Sequence, residues 1–202
     1  MLKTYELVID ENDLQDGIQA ISLVSDPAIE SDFVALSKQE EIKLAAIDDE
    51  KRILMGAALI PEKLIYRRTE DGGEYNIFFS KETVRKASEL FFKKGFQSES
   101  TLEHTINLQN NTVVESWIVE DTDKDKTALY GLNAPVGSWV VSMKIEDDAV
   151  YQMAKQGEIK GFSIEGYFSD KMISQSKESN EDEVVGVYLD EILDILESKT
   201  KK

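Results

Sequence analysis

The chain has 202 residues, 41% of them hydrophobic, no cysteine, and a formal net charge of -17. That size supports one substantial core with attached arms, and the lack of cysteine excludes disulfide stapling and thiolate chemistry. The negative charge, with only four arginines and no arginine-rich segment, argues against a surface that binds phosphate backbones.

No apolar run approaches the roughly 20 residues a membrane-spanning helix needs. The opening MLKTYELVIDEND lacks the long apolar region of a secretion signal. A soluble intracellular protein that engages neither nucleic acid nor membrane is expected.

In chain order, Lys3 to Asp10 reads as a strand through alternating Tyr5, Leu7 and Ile9. A polar turn leads to a second strand, Ile18 to Val24, which Pro27 ends by restricting Asp26 and removing a donor. Residues 28–50 are mixed and charged, with a helix expected around Lys38 to Ala46. Ile53 to Pro61 is strongly apolar. Glu70-Asp71-Gly72-Gly73 is a turn, and Tyr75 to Phe79 its return strand. Ser80 can cap a helix carrying Val84, Ala87, Ser88 and Phe91 on one face, stopped near Gly95.

Leu102 to Leu108 and Val113 to Val119 read as strands joined in a hairpin at Asn110-Asn111. Glu120 to Lys126 is a charged loop. Ser138 to Ile145 alternates, with Trp139, Val141, Met143 and Ile145 on one side. Asp147 or Asp148 can cap a short helix ending near Gly157. KGFSIEGYF, Lys160 to Phe168, is the last expected strand, with Ser163, Glu165 and Tyr167 on one face. No internal repeat is evident. Residues 1–50 are therefore read as N-terminal strands plus an arm, 51–169 as the core, 170–187 as an acidic connector, and 188–202 as a terminal helix. The fold expected is mixed β/α, a partly open β-barrel or strongly curved sheet with peripheral helices.

His104 is the only histidine. An imidazole can take a hydroxyl proton and return it, and Ser163 could supply that hydroxyl. Taken alone, both residues fit ordinary structural roles. KGFSIEGYF also lacks the G-x-S-x-G elbow of α/β-hydrolases.

Three stretches alter that balance: GIQAISLVSDPAIESDF, VVESWIVEDTDKDKTALYGLNAPVGSWVVSMKI and IKGFSIEGYF. Through them the chain resembles the XkdF type of phage serine proteases, relatives of prohead maturation proteases and, more distantly, of herpesvirus assemblin-like proteases. The resemblance implies a prohead-protease or assemblin-like fold, with His104 as base and Ser163 as nucleophile. It implies scaffold and major capsid proteins as peptide substrates, possible self-association, and action within the immature prohead in the host cytoplasm. It implies no metal and no cofactor.

The third catalytic member is open. Assemblin-like enzymes use a second histidine, which this chain lacks, whereas prohead proteases can use an acid. Glu165 is the first choice because it shares a strand face with Ser163. Glu115, Glu191 and an N-terminal acid near Asp16 or Asp26 are alternatives, the last because the SLV-x-x-PA segment here precedes both candidate residues instead of following them, as in a circular rearrangement. Lys160 or backbone N–H groups near Ser163 could stabilise an oxyanion. The Glu120 to Lys126 loop could border a substrate groove, and residues 170–183 could be a self-cleavage region. Trp117 and Trp139 are expected in the core. The alternative function is a non-catalytic capsid assembly or peptide-binding protein with a protease-like fold. No HExxH, EF-hand or Walker A pattern is present.

Overall fold

The computed structural model describes residues 2–10, 13, 15–28, 34–35, 51–69 and 71–172. The helices expected near Lys38 and from Tyr188, Glu191, and the connector beyond Met172 lie outside the described residues.

Chain order runs through β1 (Lys3–Val8), β2 (Gly17–Val24), β3 (Val34–Ala35), β4 (Ile53–Leu59), β5 (Ile65–Arg68) and β6 (Glu74–Phe79). Next come α1 (Lys81–Lys93), β7 (Ser100–Leu102), β8 (Ile106–Leu108), β9 (Thr112–Ile118) and α2 (Lys126–Leu129). The last elements are β10 (Trp139–Lys144), α3 (Asp148–Lys155), β11 (Gly161–Tyr167) and β12 (Ser169–Met172). Strand β12 thus takes in Asp170 to Met172, the first residues of the expected connector.

These strands form three four-stranded sheets, ordered β12-β1-β6-β5, β3-β4-β10-β9 and β11-β2-β7-β8. The architecture is mixed β/α with peripheral helices, but the expected partly open barrel or strongly curved sheet is not formed. Each sheet ends in two edge strands among the described residues. The chain leaves the third sheet after β11 and joins the first as β12, so no ladder continues round to close. Alternation of apolar residues reports which face of a strand is buried. It does not report which strand lies beside it, and that information decides between one curved sheet and three small ones.

The helices begin where their caps predict. Ser80 accepts the Thr83 N–H at 3.3 Å to start α1, and Asp147 accepts the Val150 N–H at 2.9 Å to start α3. Helix α1 buries Val84, Ala87 and Phe91, and Phe91 meets Trp139 edge-on at 5.4 Å. Strand β10 is central and buried on both faces. Trp139, Val141, Met143 and Ile145 enter the main core with Ile21, Leu23 and Phe162. Val140 packs on the other side with Met55, Val119 and Ala134.

The segment Leu102 to Leu108 is not one strand, and it does not pair with Val113 to Val119. It breaks at Glu103 to Thr105, so that β7 and β8 form a hairpin with each other, while β9 pairs with β10. Leu102, Ile106 and Leu108 keep even spacing across this turn, which is why the sequence resembles an uninterrupted strand. Glu103 and His104 both have positive φ, 51° and 58°, and the Leu102 carbonyl accepts the Thr105 N–H at 3.1 Å. Asn111 is buried and ties β7 to the end of β10, since its side chain donates to Ser100 Oγ at 3.3 Å and accepts the Glu146 N–H at 3.3 Å.

Strand β11 carries a register shift between Glu165 and Gly166. Such a bulge bends a strand and re-aims its side chains. Gly166 makes the bend possible, since a Cβ there would strike the Gly17 carbonyl oxygen and lie 2.8 Å from Ile18 Cα, both backbone atoms. Gly166→Ala should therefore destabilise the protein by about 1–3 kcal/mol, the usual cost of overpacking. Urea unfolding of the two proteins measures this, and an unchanged midpoint would refute the packing argument.

Candidate active site

Three strands line up the candidate residues. In the register of the third sheet, Ser163 on β11 stands opposite Ser22 on β2, and Ser22 stands opposite Thr101 on β7. Directly paired residues share a face. The other face carries Phe162, Ile21 and Leu23 into the core. One face of the sheet is thus apolar and buried, and the opposite one presents a row of hydroxyls.

Glu165 follows Ser163 by two residues and projects from that same face. Its partner in register on β2 is Ala20. So small a side chain leaves room for the carboxylate to reach over β2 toward β7. There the Thr101 hydroxyl donates to Glu165 Oε1. The same oxygen lies 3.1 Å from His104 Nδ1.

His104 sits in the turn after β7, not on a strand. Its backbone N–H donates to Ser22 Oγ at 3.0 Å. Glu103 pins the same turn twice: its N–H donates to the Leu23 carbonyl at 3.0 Å, and its Oε1 accepts the Ser25 N–H at 2.7 Å. A carboxylate oxygen that already receives the Thr101 proton is an acceptor, so His104 Nδ1 is the donor in this contact. In a neutral imidazole this leaves Nε2 able to accept a proton.

The structure brings His104 and Glu165 into direct contact and places Ser163 on the same face. It forms no hydrogen bond between His104 and Ser163 among the described residues. The reason is the intervening strand: β11 and β7 lie two strand spacings apart, roughly 10 Å. The longer Glu165 side chain closes the gap with the Thr101 and His104 side chains reaching toward it, whereas the short serine side chain does not. In serine enzymes without substrate, this contact is often loose. The site is partly open to solvent, with the His104 and Glu165 side chains 43% and 31% exposed. A cleft of about 320 Å³ borders Glu165, lined also by Gln19, Ala20, Phe96, Glu99 and Asn107.

The other acids considered are placed elsewhere. Glu115 lies on β9 in the second sheet and is ion-paired with Lys126. That ammonium holds its carboxyl below the ordinary glutamate range. Asp16 is buried, but its Oδ2 accepts the Asp10 N–H at 2.8 Å and the Ser169 hydroxyl at 3.2 Å. Asp26 is exposed, and so is Lys160. In the Glu120 to Lys126 loop, Asp125 caps α2 and accepts the Trp117 indole N–H at 3.0 Å. Among the described residues, no group of three or more histidine or acidic side chains could hold a metal ion. No helix among them is long and apolar enough to cross a membrane.

Sequence reasoning missed Ser22 and Thr101. Both are small hydroxyl residues in apolar strand patterns, GIQAISLV and STL, and both are buried. A hydroxyl buried in such a strand is itself a signal, since it needs a partner. Identifying the partner required the strand order.

A carboxylate–imidazole pair on the sheet face that also carries a strand serine is a candidate site for serine-hydrolase chemistry. The sequence model of the family described as "Putative phage serine protease XkdF" matches residues 41–172, more than half of the chain, and the protein belongs to that family. No curated protein and no solved structure matches the chain. The matched span holds His104, Ser163, Glu165 and Thr101, while β1, β2 and β3 precede it.

The Glu115–Lys126 pair predicts a pH effect. A carboxyl lowered by folding contributes stability above its unfolded value, and loses that contribution as pH falls through its folded value. The pair is half-exposed, so it is worth less than about 1 kcal/mol. Lys126→Met should lower stability slightly at neutral pH and leave it unchanged at a pH below the glutamate range. Denaturant titrations at both pH values measure this, and equal losses at the two would contradict the assignment.

Proposed function

We propose that the protein is a serine endopeptidase that processes phage scaffold and major capsid proteins during prohead maturation, acting inside the immature shell in the host cytoplasm. The observation that supports it best is the 3.1 Å contact between His104 Nδ1 and Glu165 Oε1 on the sheet face that carries Ser163. Membership of the phage serine protease family supports the class of reaction.

In this reading Ser163 is the nucleophile, His104 the general base and acid, and Glu165 the acid that orients the imidazole. Binding of an extended peptide brings Ser163 and His104 Nε2 together. The Ser163 oxygen attacks the scissile carbonyl while its proton passes to Nε2. That proton then goes to the leaving amine as the C–N bond breaks, leaving an acyl-enzyme. Water attacks the ester, again giving a proton to His104, which returns it to Ser163 as the new carboxylate leaves. Glu165 stabilises the imidazolium in both halves without itself taking the proton. Backbone N–H groups near Ser163 are the natural oxyanion donors, and loss of one such donor typically costs about 10²–10³ in rate.

The test is intact-mass spectrometry of the neighbouring scaffold and capsid proteins after incubation with the full chain. Wild type should generate defined fragments. Folded Ser163→Ala and His104→Ala variants should lose about 10⁴–10⁶ in rate, the range set by removal of a triad member. Fragments that persist in both variants would exclude these residues as the machinery. Absence of cleavage by wild type under assembly-competent conditions would favour a non-catalytic assembly component instead.

A further inference from the structure

We propose that Thr101 is a positioning residue for the acid–base pair, fixing the Glu165 carboxylate against His104, with Ser22 fixing the histidine backbone from the opposite side. The effect on rate rests on the protease reading above, whereas the geometry stands without it.

Three hydrogen bonds and one long contact form a closed circuit across three strands. The Thr101 hydroxyl donates to Glu165 Oε1. His104 Nδ1 meets the same oxygen at 3.1 Å. The His104 backbone N–H donates to Ser22 Oγ at 3.0 Å. The Ser22 hydroxyl faces the Thr101 carbonyl at 3.5 Å, a long contact that completes the ring. Each group acts within its capacity: a serine oxygen can accept one proton and donate its own, and a carboxylate oxygen can accept two.

Thr101 is suited to hold Glu165. A free glutamate side chain has three rotatable bonds, and ordering it costs conformational entropy. Thr101 is β-branched and buried, so its hydroxyl has few directions available. Its donor therefore selects one position of the Glu165 carboxylate over Ala20. Ser22 is fully buried and stands between the nucleophile strand and the histidine strand. Its lack of solvent access fits it for holding the turn and excludes it as a nucleophile.

His104 is the only histidine, so ¹⁵N-histidine labelling of the full chain gives one imidazole to observe. Wild type should show the Nδ1–H tautomer. Thr101→Val, which keeps the shape and removes the hydroxyl, should shift the imidazole signals toward those of Glu165→Ala. Thr101→Ser should restore the wild-type signals. In cleavage assays Thr101→Val should lower kcat about 10- to 100-fold with little change in KM, the loss expected for one hydrogen bond to a charged group. Thr101→Ser should recover most of it. A folded Thr101→Val protein with wild-type imidazole signals would overturn the proposal. If Thr101→Val does not fold, the wild-type Thr101 hydroxyl proton decides: slow exchange with contacts to His104 supports the circuit, and rapid exchange overturns it. If wild type cleaves nothing, the protease reading fails, while the imidazole signals still decide the role of Thr101.

Discussion

Strand β2 is the constraint on which the candidate site depends. It pairs antiparallel with β11 on one side and parallel with β7 on the other. Without it, the strand bearing Ser163 and Glu165 and the strand leading to His104 would share no surface. Its residues alternate between two duties. Ile21 and Leu23 anchor the sheet in the core, while Ala20 and Ser22 shape the opposite face. A one-residue slip would exchange these faces, burying a hydroxyl among apolar side chains and exposing isoleucine and leucine. Core burial therefore fixes the register, and the register fixes the site. This strand comes from the region before the matched family span, so the site draws on chain beyond that span.

The bulge at Gly166 is the second device. Regular pairing through Glu165 keeps Ser163 and Glu165 on one face. The shift after Glu165 then bends the strand where a Cβ on Gly166 would strike the backbone of Gly17 and Ile18. The chain can leave this sheet after Tyr167 and enter the first one as β12. The ladder with β2 continues through Gly166 and Tyr167, so the glycine bends the strand without ending its pairing.

Much of this was legible in the sequence, for identifiable reasons. The capped helices at Ser80 and Asp147 follow local rules, and local rules are readable from local residues. The alternation of Trp139, Val141, Met143 and Ile145 marks a core strand because burial has period two in a strand. Glu165 was placed beside Ser163 by the same periodicity. What could not be read was non-local. Nothing in ESTLEHTINL distinguishes a strand from a turn flanked by two short strands, because the apolar spacing stays even across Glu103 to Thr105. Ser22 and Thr101 looked like small strand residues until the strand order set them side by side. The barrel expectation failed for the same reason, since partner choice is absent from a single strand's pattern.

The turn that holds His104 carries the remaining physical argument. Two consecutive non-glycine residues, Glu103 and His104, adopt positive φ, a conformation that costs roughly 1–2 kcal/mol per residue. Such backbone persists only when its surroundings over-determine it. Here four bonds do so: Glu103 N–H to Leu23, Ser25 N–H to the Glu103 carboxylate, His104 N–H to Ser22, and Thr105 N–H to Leu102. Three of the four run to β2 or the residue just after it. An imidazole on a regular strand would be aimed perpendicular to the sheet, away from a carboxylate two strands across. The left-handed turn instead folds it back over the sheet face toward Glu165. The unfavourable backbone is thus the means of orienting the imidazole, and the hydrogen bonds to β2 are what make that orientation stable.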